Sequence, residues 1–241
     1  MSNRASVTSL RAHKLARVGP AAQNGDINWS QDDDPLHKIL LLGTRCSFAP
    51  GQTLFEEGED LRCFYKIIYG GVRLTRTTST GKRQIIRFAA GDCFLGLEKG
   101  PKHASTAEAI CATEVIRCNR SDIQFAGDAY PGLHASLLSI ACAELAEMQD
   151  HLAMLVGKSA RARVAQLLLR VFRPTRVGDG LRIKIPASRL DIADYLGLTV
   201  ETVCRELGTL KRRAIIGIPN RHEILLRDIQ ALQAISAGDA D

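Results

Sequence analysis

The stretch that most constrains the fold lies near the C-terminus: Ser188-Arg-Leu-Asp-Ile-Ala-Asp-Tyr-Leu-Gly197-Leu-Thr-Val-Glu-Thr-Val-Cys-Arg-Glu-Leu-Gly-Thr-Leu-Lys211. Ser188 is placed to cap a helix whose apolar face is Ile192, Ala193 and Leu196, and Asp191 makes an imperfect capping box with it. Gly197 supplies a sharp turn, and Thr199 caps a second helix that turns Val203, Leu207 and Leu210 inward. Two short helices around a glycine turn, with the small Ala193 at their crossing, describe a helix-turn-helix. Beyond it, residues 215–218 and 223–226 flank Pro219-Asn220-Arg221-His222 and read as a β-hairpin wing.

A helix-turn-helix directs attention to what its second helix carries. Glu201 and Arg205 are four residues apart and project from one face. An arginine can fork onto O6 and N7 of guanine, and a carboxylate can accept from N4 of cytosine, so the pair is suited to reading a G·C pair or its neighbours. The same spacing would serve an ordinary intrahelical ion pair. Base reading is favoured because both residues fall in the first half of a recognition helix, where base edges are met. Ser188, Arg189, Thr199 and Thr202 stand at or beside helix N-termini and are candidate phosphate contacts, with Cys204 as an auxiliary one. Lys211, Arg212 and Arg213 read as general backbone or solvent charge. The charge distribution agrees. Residues 1–157 hold 17 Lys+Arg against 17 Asp+Glu, whereas 158–241 hold 15 against 9, so the whole net charge of +6 lies with the helix-turn-helix. A basic second part beside a neutral first part implies a polyanionic partner.

Upstream, Leu138, Ala141, Leu145, Met148, Leu152 and Leu155 follow spacings of 3, 4, 3, 4 and 3. That is the rhythm of a coiled-coil seam on a helix of about 25 residues starting near Pro131, and it implies a homodimer. The alternative is an amphipathic helix lying on its own domain. A second helical run over residues 159–172 ends at Arg173-Pro174, and a short strand over 181–185 follows. From 48 to 118 the pattern changes to short apolar or alternating runs, at 48–55, 63–68, 72–77, 84–88, 106–109 and 113–117, cut by glycines such as Gly51, Gly58, Gly70-Gly71, Gly81 and Gly91. Runs of that length between glycine turns read as an antiparallel barrel or jelly roll. The expected architecture is therefore α+β: a disordered basic arm over 1–35, an antiparallel β-roll over 36–130, a dimerisation helix over 131–157 and a winged helix-turn-helix over 158–241.

Several classes of function lose support. No apolar run approaches the ~20 residues that span a bilayer, so no membrane partner is expected. The first 25 residues carry Arg4, Arg11, Lys14 and Arg17 without a long apolar core, which is unlike a secretory signal; a cytoplasmic protein is expected. The seven cysteines are odd in number and contain no C-x-x-C pair, so no zinc ribbon is indicated and reduced thiols are expected. No nucleophile–base pairing is marked by local context and no P-loop lysine follows a glycine turn, so the chain does not read as an enzyme. A nucleotide-sensing module without DNA function is the competing class. Cys204, between Glu201 and Arg205, is open to two readings: a small contact residue, or a redox switch whose oxidation would put bulk against the groove.

The order of a β-roll with paired glycines, a long helix, and then the run from Asp191 to Arg205 resembles the CRP/FNR superfamily of transcription regulators over about residues 40 to 230. Glu201, Cys204 and Arg205 match the Glu-x-x-Ser-Arg pattern of FNR-type recognition helices, with Cys replacing Ser. The segment Gly96-Leu-Glu-Lys-Gly-Pro-Lys-His103, followed by Ala107-Glu-Ala109, is similar to FixK-like members. The resemblance implies an activator at palindromes like TTGAT-n4-ATCAA near low-oxygen or nitrogen-fixation genes, with RNA polymerase as a further partner. It also raises the alternative of a cyclic-nucleotide- or haem-dependent sensor of the same fold. A cyclic-nucleotide pocket would require a Phe-Gly-Glu turn and an Arg-Ser/Thr-Ala run. The chain has Leu95-Gly96-Leu97 with Glu98 displaced, and Lys102-His103-Ala104-Ser105 in place of the arginine run. A lysine or histidine meets phosphate without the bidentate fork of arginine. Iron–sulfur members carry clustered cysteines near the N-terminus, whereas here nothing precedes Cys46. For haem, His103, His134 and His151 are candidates, yet a lone histidine is usually a surface or core imidazole. Neither metal nor cofactor is expected.

Overall fold

Alternating short strands between glycine turns build two four-stranded antiparallel sheets in the computed structural model, which describes residues 35–123, 130, 132–172, 175–177 and 180–238. One contains β1 (Thr44–Phe48), β3 (Cys63–Tyr69), β6 (Phe94–Leu95) and β8 (Thr113–Asn119), in the order β1-β8-β3-β6. The other contains β2 (Thr53–Phe55), β4 (Gly71–Thr77), β5 (Arg83–Ala90) and β7 (Thr106–Ala109), in the order β2-β7-β4-β5. Tyr65, Ile67 and Val115 from the first meet Val72, Leu74 and Ala107 from the second in the core of the roll. The run expected over 48–55 is two strands rather than one. Pro50 and Gly51, the latter at φ +84°, break it, and the turn is closed by Gln52, whose N–H reaches the Ala49 carbonyl at 3.0 Å while its side-chain oxygen accepts from the Ala49 N–H at 2.7 Å. At the β3–β4 turn glycine is required twice over: Gly70 has φ +90°, and a Cβ there would lie 2.4 Å from the Ala112 carbonyl oxygen.

A short helix α1 (Pro35–Leu41) and the 25-residue helix α2 (Leu133–Gly157) pack beside the first sheet. Two lines of residues run down α2, offset by one position. Leu133, Leu137, Ile140, Glu144, Glu147, His151 and Met154 face the rest of the chain. The first three lie against Leu36, Ile39, Phe64, Phe94 and Cys118. Glu144 accepts from Arg87 of β5 at 2.8 Å, and His151 stacks on Tyr195 with centroids 4.1 Å apart. The expected seam is the neighbouring line, and most of it is turned to solvent.

Past Gly157 the chain extends at Lys158, and Ser159 caps α3 (Ala160–Gln166) through the Ala162 N–H. The single helix expected over 159–172 widens after Gln166 into one π-helical turn, Leu167–Val171, closed by the Phe172 N–H on the Leu167 carbonyl at 3.3 Å. The wider turn carries two consecutive buried leucines, Leu167 and Leu168, into the core. Then follow β9 (Thr175–Val177), β10 (Gly180–Lys184), α4 (Arg189–Leu196), α5 (Val200–Arg212), β11 (Ile216–Asn220), β12 (Glu223–Leu226) and α6 (Ile229–Ala237). The expected hairpin β11–β12 is half of a four-stranded sheet in the order β11-β12-β10-β9. Helix α6, which the sequence pattern left without an element, is capped by Asp228 and packs on α3. The arm expected over 1–35 lies outside the described residues except for Pro35, as do Pro131 and Arg173-Pro174.

Candidate nucleic-acid interface

The two helices of the expected helix-turn-helix are α4 and α5, joined by Gly197-Leu198-Thr199. Gly197 has φ +61° and ψ +41°, and the Leu198 N–H returns to the Ala193 carbonyl at 2.9 Å, which closes α4 with a left-handed residue. Arg163 of α3 donates to the Leu196 carbonyl at 3.0 Å, satisfying another helix-end acceptor. Ile192, Ala193 and Leu196 of α4 and Val203, Leu207 and Leu210 of α5 are all buried in one core, so the opposite face of α5 is presented outward. Thr199 caps α5 through the Thr202 N–H at 3.2 Å, with the two hydroxyls 3.1 Å apart.

Glu201, Cys204 and Arg205 are exposed on that outward face, with Thr202 half-buried beside them. The i,i+4 ion pair between Glu201 and Arg205 is not formed among the described residues. Glu201 turns back on its own helix N-terminus, where its backbone N–H and the Thr199 hydroxyl hold the carboxyl below the usual range. Arg205 instead donates from Nε to Glu206 at 3.3 Å. Glu206 is buried and takes a second donor, Arg161 Nε of α3, at 3.0 Å. Sequence reasoning missed Glu206, although a signal was there: with Val203, Leu207 and Leu210 it completes an i, i+3, i+4, i+7 line, and an acid in such a line needs a partner.

The residues at the start of α4 are more internally committed than phosphate contacts would be. Ser188 and Asp191 form the reciprocal capping box, each backbone N–H bonded at 3.1 Å to the other's side chain. The Ser188 hydroxyl proton is also given to Asp191, at 2.7 Å. Asp191 is buried and receives Arg73 and Arg83 from the roll, 118 and 108 residues away in sequence. Arg189 is half-buried; burial lowers its pKa while the nearby Cys204 thiol acts in the opposite direction, and its Nη1 has no partner among the described residues. Lys211, Arg212 and Arg213 are exposed at the far end of α5.

Leu138, Leu145, Met148 and Leu152 of the seam are 65, 55, 66 and 63 % exposed, and Ala141 is exposed too. Leu155 departs from this register: it is half-buried and packs on the helix-turn-helix core. In the roll, a cavity of about 1180 Å³ lies between the Gly96–Gly100 turn and α2. Lys102 and His103, which stand in place of the arginine run, are not among its lining residues. His103 is buried, stacked on Phe55 at 3.7 Å, with Nδ1 3.1 Å from Glu98, and Lys102 donates to the Gly58 carbonyl at 2.9 Å. The arginines that line the cavity are also engaged: Arg62 with Asp60, Arg76 with Glu57, Arg87 with Glu144 and Arg120 with the Glu98 carbonyl. Among the described residues no group of three or more His, Cys, Asp or Glu side chains is placed to hold a metal ion, and no helix is long and apolar enough to cross a membrane.

Residues 45–128 match the model of the Cyclic nucleotide-binding domain, and residues 162–235 that of the Crp-like helix-turn-helix domain. The chain is 34 % identical over 207 residues to the Nitrogen fixation regulation protein FixK of Azorhizobium caulinodans, covering 84 % of this chain and 83 % of the relative. It is likewise 34 % identical over 210 residues to the protein of the same name from Bradyrhizobium diazoefficiens, covering 86 % and 88 %. Among solved structures, FixK2 from Bradyrhizobium japonicum superposes with a TM-score of 0.75 at 35 % identity, over 83 % of this chain and 98 % of that one.

Proposed function

The chain belongs to the CRP/FNR family of transcription regulators, and from that premise we propose that it binds a palindrome like TTGAT-n4-ATCAA as a homodimer and regulates nitrogen-fixation or low-oxygen genes. The observation that carries the reading is the outward face of α5: Glu201 and Arg205 stand exposed on a helix whose other face is sealed into a core and whose N-terminus is capped by Thr199. Arg205 reads guanine at the G·C pair of each half-site and Glu201 accepts from the paired cytosine. Thr199, Thr202, Arg189 and Cys204 lie against the backbone nearby, and Ser188 supports them from within the capping box. Two such helices must be linked about 34 Å apart to meet two half-sites, which is the work of the exposed seam on α2.

The protein acts without enzymatic activity, in the cytoplasm with its DNA, and recruits RNA polymerase. The engaged His103, Lys102 and cavity arginines favour a regulator that takes no cyclic nucleotide, controlled by its own abundance or by thiol chemistry. The test is a mobility-shift titration at fixed and then rising salt on the palindrome and on a scrambled duplex. Specific binding stronger by roughly 10³-fold or more is expected. Equal affinity for both duplexes would refute the reading in favour of a sensing module without DNA function. Arg205→Ala should cost about 1–3 kcal/mol per half-site on the palindrome alone, whereas Lys211→Ala should weaken all duplexes alike.

A further inference from the structure

We infer that Glu206 is a positioning residue that selects which edge of Arg205 meets the base, a role that rests on the base-reading assignment of Arg205 above. A buried carboxylate is tolerated only when paired, and Arg161 at 3.0 Å on Oε2 already supplies a partner. The other oxygen, Oε1, is 3.3 Å from Nε of Arg205, the next residue along the helix. Arg205 is 64 % exposed, so its guanidinium is otherwise free to swing. With the Nε–H drawn toward Glu206, the two Nη groups form the free edge, and neither takes part in a hydrogen bond among the described residues. An end-on pair of N–H donors matches the spacing of O6 and N7 on guanine, whereas a side-on approach would need Nε. The carboxylate therefore orders the reading group before DNA arrives. Its other tie, to the first turn of α3, holds it to the segment that leaves the long helix at Lys158.

The experiment measures equilibrium binding of the full-length protein by fluorescence anisotropy at one salt concentration. Three duplexes are used: the TTGAT-n4-ATCAA palindrome, the same duplex with the G·C pair of each half-site changed to A·T, and a scrambled duplex. Glu206→Gln keeps the shape but has one acceptor oxygen, which cannot serve both arginines in the same way. It is expected to lower discrimination between the first two duplexes by about 3–10-fold while leaving the scrambled duplex within about twofold. In an Arg205→Ala background the same change should lower discrimination no further, because Glu206 acts through the side chain that is gone. Equal loss on all three duplexes, or a further loss of discrimination in that background, would overturn the inference. Arg205→Ala that still discriminates fully would overturn the base-reading assignment and this inference with it. If Arg205→Ala abolishes discrimination while Glu206→Gln preserves it, only the positioning role fails. Should Glu206→Gln melt near the assay temperature, Glu206→Met fills the same space without charge and carries the same cycle.

Discussion

Arg73 in strand β4 of the roll donates from Nη1 to both carboxylate oxygens of Asp191, each at 2.9 Å, at the third residue of the first helix of the helix-turn-helix. The same arginine is bound to Glu108, and Arg83 adds a contact of 3.1 Å to Asp191. One buried carboxylate thus completes a capping box inside the DNA-binding module and joins that module to the roll.

Breaking this contact should destabilise the protein through the carboxylate left behind. Arg73→Met is expected to cost about 2–4 kcal/mol, moderated by Arg83, which still reaches Asp191. Asp191→Ala should cost at least as much, because it also loses the cap. Chemical denaturation reads both. The double variant Arg73→Met/Asp191→Asn should be less destabilised than the sum of its singles, and strict additivity would show the pair to be uncoupled.

The seam prediction concerns assembly. Replacing Leu145 and Leu152 by Glu removes two exposed apolar side chains and, in the proposed dimer, sets like charges opposite each other, so monomers are expected in sedimentation. The folded monomer should largely keep its melting behaviour, because both side chains are more than half exposed, yet bind the palindrome far more weakly. A variant that remained dimeric would move the interface elsewhere on the molecule.

Cys204 is exposed on the outward face of α5. Mild peroxide is expected to reduce palindrome binding, with recovery by thiol reductant if the product is a sulfenate or a disulfide. Cys204→Ser should bind as the reduced parent does and resist peroxide. Loss of binding at the parental rate in that variant would move any thiol sensitivity to another cysteine.

Burial holds the His151 imidazole below its ordinary value of 6.5. The unfolded chain therefore takes up this proton at a higher pH than the folded one. The stability due to neutral His151 is full above pH 6.5 and is lost as the pH falls from there toward the lower folded value. His151→Phe, which retains an aromatic ring beside Tyr195, should flatten that part of the stability profile. An unchanged slope just below pH 6.5 would assign the dependence to other groups.

Where the sequence was legible, the signal was local. Ser188, Asp191, Gly197 and Thr199 act on backbone groups within a few residues, so their roles as caps and turn follow from spacing alone. Glu206 was only half legible: its place in the buried line of α5 marks it as needing a partner, but Arg161 is 45 residues away, and nothing in the intervening chain names it.

Spacing by itself determined that a helix of about 25 residues follows Pro131 with apolar positions every three or four residues, because that period is a property of the helix. It could not decide which side faces the protein's own chain: the lines beginning at Leu133 and at Leu138 have the same period and differ by one position. Packing against Phe64 and Phe94 and the ties to Arg87 and Tyr195 chose the first line and left most of the second in solvent. Likewise the capping box was written into residues 188–191, while the attachment of Asp191 to Arg73, 118 residues upstream, exists only once the roll has folded and brought β4 to the start of α4. Short-range hydrogen bonds need a few fixed dihedrals, whereas an ion pair across two folded bodies depends on where every element between them has come to rest.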